Sequence, residues 1–130
     1  MAHIKEFLTW IKLKEEIDKE SNRPSVRARE IRWCAIGHNI GSEIDGKGDL
    51  FARPVIILKM ISTNTCLILP LTHSSKEGKY MLEFEFKKEL IKARLDQVRI
   101  VDIKRLRSKL GELPSEKFEM IRNKTKDFLF

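Results

Sequence analysis

The sequence predicts a mainly β protein: a small antiparallel sheet, strongly curved or rolled into a partly open barrel, with one helix before it and one after. Three observations carry this expectation. Two runs of strand length, "PVIILKM" and "TCLILPL", are rich in Val, Ile and Leu, and the polar "STN" between them suits a hairpin turn. Two further segments, "REIRWCAI" and "YMLEFEF", alternate from residue to residue as half-buried strands do. Apolar residues at helical spacing are confined to the two ends of the chain.

Taken in order, "IKEFLTWIKLKEEIDKE" places Ile4, Phe7, Leu8, Ile11 and Ile17 near helical spacing, with Lys and Glu on the other face. Pro24 in "SNRPS" ends that amphipathic helix, and the basic "NRPSVRARE" is a connector. The first strand sets Ile31, Trp33 and Ala35 on one side and Glu30, Arg32 and Cys34 on the other. A polar, glycine-rich loop, "GSEIDGKGDLFA", then leads into the two apolar strands. In "YMLEFEF", Tyr80, Leu82, Phe84 and Phe86 oppose Met81, Glu83 and Glu85, and "RLDQVRIV" supplies a fifth, more polar strand. A short helical turn is expected in "DIKRLRSKL". Finally Ser115 is the expected N-cap of a closing helix that aligns Phe118, Ile121, Thr125 and Phe128.

With 130 residues and 42% apolar composition, the chain has the size of one domain with a modest core. Its 26 basic and 19 acidic side chains leave a net charge of +7, which favours an anionic partner such as nucleic acid, a phosphate or an acidic protein segment. The start, "MAHIKEFLTW", carries charges where a signal peptide needs an apolar centre, and no run reaches the length of a membrane span. A cytoplasmic protein with no membrane partner is expected. Cys34 and Cys66 make no metal-type spacing with His3, His38 or His73 and read as buried free thiols. The glycines fit neither a phosphate loop nor a dinucleotide fingerprint, and no acidic cluster resembles a two-metal site.

The polar residues of interest stand at the ends or inside of otherwise apolar strands. Arg53 precedes Pro54 where the polar loop enters a strand, Thr72 and His73 stand where "LILPLTHSS" leaves one, and Arg94, Asp96, Gln97 and Arg99 lie within a third. If the two apolar strands form a hairpin, Arg53 at the start of one lies close to Thr72 at the end of the other. A guanidinium, a hydroxyl and a carboxylate at one rim suit a phosphodiester, the first for phosphate oxygens and the last for proton removal. Each residue also has a plain structural reading. Arg53 fits a surface cation, Thr72 a strand end bonding its own backbone, and Arg94 with Asp96 a surface ion pair on one strand face. His38 and His73 fit solvated loop residues. From the residues alone, the chain is a basic small β domain suited to phosphate.

The order "REIRWCAIGHNIGSEIDGKGDLFARPVIIL", "LILPLTHSSKEGKY", "RLDQVRIVDIKRL" and "KLGELPSEKF" resembles the MazF/PemK toxins of bacterial type II toxin-antitoxin pairs. Those toxins have a Trp in the first strand, a G-x-E-x-x-G loop, R-P before an apolar strand, a P-L-T strand end, a D-Q-x-R-x-x-D strand and L-G before the last helix. The likeness spans residues 29 to 128. It implies a small SH3-like antiparallel β-barrel of the PemK/MazF/CcdB kind, with residues 29–130 as the toxin domain and 1–28 as an added helix and basic linker. It further implies that the loop after the first strand is a mobile flap beside an RNA groove, with Arg53 and Thr72 at the scissile phosphate. Arg94 and Asp96 match the acid and base of the plasmid-borne branch. Ser42, Glu43, Lys47, His73, Gln97 and Arg99 are the implied RNA contacts. Where that branch has a flap histidine this chain has Ser42, so the histidine's phosphate-stabilising role is not carried over.

The implied activity is sequence-specific cleavage of single-stranded RNA, needing neither metal nor cofactor, by attack of the ribose 2′-hydroxyl on the neighbouring phosphate. The implied partners are mRNA, a second copy of the chain and a cognate antitoxin with an acidic, disordered segment. Two other classes compete. A gyrase-poisoning CcdB-like toxin shares the fold, but its family ends in Trp-Gly-Ile, whereas this chain ends "DFLF". A non-catalytic small barrel that binds nucleic acid explains the charge but not the joint presence of Arg53, Thr72, Arg94 and Asp96.

Overall fold

In the computed structural model, which describes residues 5–21 and 23–130, the two Val, Ile and Leu runs form β2 (Ala52–Met60) and β3 (Thr65–Thr72). They pair antiparallel, with Val55 opposite Pro70, Ile56 opposite Leu69 and Ile57 opposite Ile68. Their unbroken apolar character has a simple cause: both faces of the sheet are covered. Val55, Ile57, Cys66 and Ile68 enter one cluster, together with Val101, Ile103 and Leu106. Ile56, Leu58, Leu69 and Leu71 enter another, closed by Phe118 and Ile121 of the C-terminal helix α2 (Ser115–Leu129).

The remaining strands are β1 (Glu30–Ala35), β4 (Met81–Phe86), β5 (Glu89–Arg94), β6 (Arg99–Asp102) and β7 (Leu106–Glu112). Among the described residues the sheet has seven strands in the order β4-β5-β3-β2-β1-β7, with β6 beside the first half of β3. The pairing does not close on itself, so "barrel" describes the fold only loosely; the mainly antiparallel architecture with a helix at each end is as expected. β3 is the hinge of this layout. Its first half pairs with β6 and its last residues, Leu71 and Thr72, pair with Ala93 and Lys92 of β5.

Several local expectations are corrected. "RLDQVRIV" is not one strand: β5 ends at Arg94, a 3-10 turn takes Leu95–Gln97, and β6 starts at Arg99. Asp96 therefore sits in a turn and not two places along a strand from Arg94. The turn expected in "DIKRLRSKL" is present over Ile103–Arg105, but β7 follows it, an edge strand whose charged residues hide its pattern. In β1, Cys34 is fully buried and Trp33 half-exposed, the reverse of a strand with one apolar side. The N-terminal helix α1 (Phe7–Lys19) packs through Trp10, Leu13 and Ile17 onto Ala35 and Phe51, leaving Phe7, Leu8 and Ile11 exposed. Ile4 and His3 lie outside the described residues. Pro114 and not Ser115 occupies the N-cap of α2, without a side-chain cap, and Phe128 is exposed.

Burial leaves Cys34 and Cys66 as free thiols and pushes them up to about 12 and about 11. Ile121, with no exposed surface, ties α2 to the sheet. Ile121→Ala is expected to lower unfolding stability by about 2–4 kcal/mol through lost burial and the cavity left behind, measured as a drop in the urea midpoint at unchanged slope. A loss below about 1 kcal/mol would mean that α2 is not part of the cooperative core.

Candidate functional site

The loop between β1 and β2 is held in shape by its own backbone. Ile36 and Gly37 both donate to the Phe51 carbonyl at 2.9 and 3.0 Å, Gly46 donates to Gly37 at 2.8 Å, and Lys47 and Ala52 exchange hydrogen bonds. Gly46 is required by close approach, since a Cβ there would run into the Phe51 carbonyl. The loop thus delivers Arg53 at the start of β2. Extending the β2–β3 register past Val55 and Pro70 brings Arg53 opposite Thr72, as the hairpin argument predicts.

Both residues line a cavity of about 1010 Å³. Lys47, Arg53, Lys76, Lys87 and Arg94 supply cations to its wall, alongside His73, Trp33, Met81 and Phe86, and the sole carboxylate among its described lining residues is Glu89. The excess of positive charge around one concave surface favours a polyanion. Thr72 is buried, and its Oγ1 accepts from the Ser74 amide at 3.2 Å, the local strand-end bond expected of such a residue. Beside it the buried Lys92 donates from Nζ to the Lys76 carbonyl at 2.6 Å. These two bonds fix the strap from His73 to Lys76 that walls the cavity.

Arg94 is held from two sides. Its Nε and Nη2 donate to Asp96 Oδ1 and Oδ2 at 2.9 and 2.7 Å, and its guanidinium lies 5.1 Å from the centre of the Tyr80 ring. Burial tends to raise the Asp96 carboxyl, but hydrogen bonds from Arg94 and Gln97 and the charge of Arg94 prevail and hold it below the ordinary carboxylate value. Arg53 is in the opposite situation. Burial, and then the nearby positive charge of Arg94, hold its guanidinium below the usual value, only partly offset by Asp45. It remains a cation at neutral pH. Two guanidinium groups that disfavour each other across one cavity wall would both gain from an anion between them.

Gln97 joins this pair to the loop. Its Oε1 accepts from the Ile44 amide at 3.0 Å, while its Nε2 donates to Asp96 Oδ2 at 3.0 Å and to the Ser42 carbonyl at 3.4 Å. Ser42 and Glu43 are exposed, and Glu43 Oε1 accepts from the Ile40 amide at 2.9 Å, closing its own turn. Neither lines the cavity, and nor does Asp96, which is partly exposed beside it where it pairs with Arg94. Arg99 is not brought to the cavity either; its charge acts on Cys34 and Arg105. His73 is exposed at the wall, whereas His38 is no solvated histidine: it is buried against Phe51, and its Nδ1 accepts from the Glu6 amide at 2.7 Å.

Sequence reasoning missed Lys76, Lys87, Trp33 and Tyr80. Lys76 had a signal, since "SSKEGK" follows the P-L-T strand end directly; Lys87 had none without the β4–β5 hairpin. Among the described residues no three His, Cys, Asp or Glu side chains gather as metal ligands, and no helix is long and apolar enough to cross a membrane.

The fold and the site together define a small antiparallel β protein with a cationic cavity at the β2–β3 rim. Residues 27–129 match the family model described as PemK-like, MazF-like toxin of type II toxin-antitoxin system, and the chain belongs to that family. Among solved structures it is similar to a crystal structure of MazF from Deinococcus radiodurans, at 20% identity and a TM-score of 0.64, covering 84% of this chain and 98% of that one. It is also similar to an endoribonuclease in complex with its cognate antitoxin from Mycobacterial species, at 14% identity and a TM-score of 0.61, covering 81% and 95%. A MazE-MazF structure from Deinococcus radiodurans matches at 17% identity and a TM-score of 0.59, covering 84% and 97%. At these identities the likeness is one of fold. No curated protein matches the chain.

Proposed function

We propose that this toxin is an endoribonuclease that cuts single-stranded RNA without a metal. The observation that carries the reading is the pair of guanidinium groups, Arg53 and Arg94, beside one cavity, with a carboxylate, Asp96, clamped to Arg94. In the reaction the ribose 2′-oxygen bonds to phosphorus as the bond to the 5′-oxygen breaks, leaving a 2′,3′-cyclic phosphate and a 5′-hydroxyl. The 2′-hydroxyl proton goes to Asp96, and the departing 5′-oxygen takes a proton from solvent. Arg53 and Arg94 meet the charge that builds on the phosphorane oxygens, an electrostatic role that is usually the largest catalytic contribution. Arg94 acts as an electrophile and not as a proton donor, since its hydrogen bonds with Asp96 raise its pKa further.

The resting ion pair explains how Asp96 becomes a usable base. A carboxylate held below its ordinary pKa is a weak base. An incoming phosphate competes with Asp96 for the Arg94 guanidinium, and loss of that partner raises the Asp96 pKa in the step that delivers substrate. Single-stranded RNA is the fitting substrate because base readout needs unpaired bases, and Trp33 and Phe86 offer aromatic surface at the cavity wall.

The chain would act as a homodimer, and in α2 the faces are already divided: Phe118 and Ile121 are spent on the core, leaving Met120, Phe128 and Leu129 exposed, with Phe130 just after the helix. An antitoxin would lay acidic side chains onto Arg53 and Arg94 and so compete with RNA. A cytoplasmic setting and a toxin domain over residues 29–130 belong to the same reading. The test is incubation of the purified protein with a labelled single-stranded RNA pool and its duplexed counterpart. Cleavage confined to the single strand is expected; binding without any cleavage would make the protein a non-catalytic RNA binder.

A further inference from the structure

The family match begins at residue 27, so α1 lies outside it, yet α1 makes some of the most specific contacts on the β1–β2 loop. Trp10 is almost fully buried, with its ring centre 5.6 Å from that of Phe51. Its indole lies on Gly37, where φ is +90° and where any Cβ would clash with the ring, so Trp10 and Gly37 fit only as a pair. Just before the helix, the Glu6 amide donates to His38 Nδ1, and Lys5 Nζ donates to the Asn39 carbonyl. Lys5 also pairs with the Asp45 carboxylate at 3.5 Å. Asp45 is the meeting point. Its Oδ1 accepts from the Asn39 amide at 2.6 Å, and its backbone carbonyl accepts from Arg53 Nε.

A chain of contacts therefore runs from the segment that leads into α1, through Lys5 and Asp45, to the Arg53 guanidinium. The geometry points to α1 as a positioning element of the phosphate site: it clamps the Gly37–Gly46 part of the loop so that the Asp45 carbonyl holds Arg53 toward the cavity. The clamp is well placed to matter. Arg53 is repelled by Arg94, and a guanidinium pushed by a neighbouring cation needs an acceptor at its back to stay in one orientation. Gln97 grips the same loop at Ile44 and Ser42, so α1 and Gln97 hold residues 42–45 from two ends. The loop is thus pinned at both. This inference rests on the proposed phosphate chemistry for its catalytic meaning, but the clamp itself has a separate readout.

The test uses the full chain and three variants, Trp10→Ala, Lys5→Met and Lys5→Arg. Amide exchange is followed at Asn39 and Gly46, and the Arg53 Nε–H resonance is followed by NMR. In Trp10→Ala the two loop amides are expected to exchange at least about tenfold faster while Ile57 and Ile68 in the core are unchanged, as local opening predicts. Lys5→Met, at a partly exposed position outside the core, is expected to shift the Arg53 resonance and to lower kcat on single-stranded RNA about three- to tenfold with KM little changed; Lys5→Arg restores both. Loop exchange as slow as in the wild type in Trp10→Ala, or an unmoved Arg53 resonance in Lys5→Met, overturns the clamp. If the wild-type protein cuts no RNA, the functional reading fails while exchange and resonance still decide whether the clamp exists.

Discussion

Arg53→Ala is expected to lower single-stranded RNA cleavage by about 10²-fold or more, the scale of losing one preorganised donor to a developing oxyanion. The side chain is half-buried, its Nε is taken by the Asp45 carbonyl, and its terminal nitrogens remain for a phosphate at the cavity. Removing it also removes the repulsion on Arg94, so the free protein is not expected to lose stability, and the effect should fall on kcat more than on folding. Arg53→Lys keeps the charge but not the forked geometry and should recover only part of the activity. Single-turnover cleavage of a labelled oligonucleotide, with the urea midpoint as a folding control, reads both. Activity within threefold of the wild type would return Arg53 to the plain role of a cation at a strand entry.

Asp96→Asn is expected to cost about 10²- to 10⁴-fold in cleavage, the usual worth of a positioned general base. The isostere keeps the place next to Arg94 and Gln97, so its effect is chemical and not a collapse of the turn. The same substitution has a pH signature. Because the folded pKa of Asp96 lies below its unfolded value, its stabilising contribution is fully present above the unfolded value of about 3.9 and is lost as pH falls through the lowered folded one. Acid unfolding of Asp96→Asn should therefore lack that component, with stability curves of variant and wild type converging toward low pH. Full activity in Asp96→Asn would remove it as base and leave catalysis to Arg53 with Thr72.

What the sequence disclosed, and what it withheld, follows from where the physical signal was local. The β2–β3 hairpin was legible because both strands are buried on both faces and need no alternation to be seen, and the Arg53–Thr72 juxtaposition followed from antiparallel register alone. The strand β5 was hidden by its turn. Lys87 and Lys88 both have positive φ, 51° and 65°, in a two-residue hairpin loop where glycine or asparagine would ordinarily announce the turn. With β5 unseen, the sequence makes Arg94 and Asp96 strand neighbours, whereas the bidentate pair exists because the chain turns between them. The burial of Glu30 was equally invisible, since beside its strand neighbour Arg32 it needs Lys109 from β7. His38 and Gln97 owe their roles to residues 32 and 53 positions away, Glu6 and Ile44, which no local pattern could supply.

The central claim is the chemistry of the cut, and the ends of the products report it most directly. The purified protein is incubated with single-stranded RNA in excess EDTA, and the fragments are analysed by mass spectrometry and by labelling with polynucleotide kinase. Fragments ending in 2′,3′-cyclic phosphate and beginning with a 5′-hydroxyl, formed at an undiminished rate, are the expected result. Cleavage abolished by EDTA, or products carrying 5′-phosphates, would contradict attack by the 2′-hydroxyl at a site built from Arg53, Arg94 and Asp96.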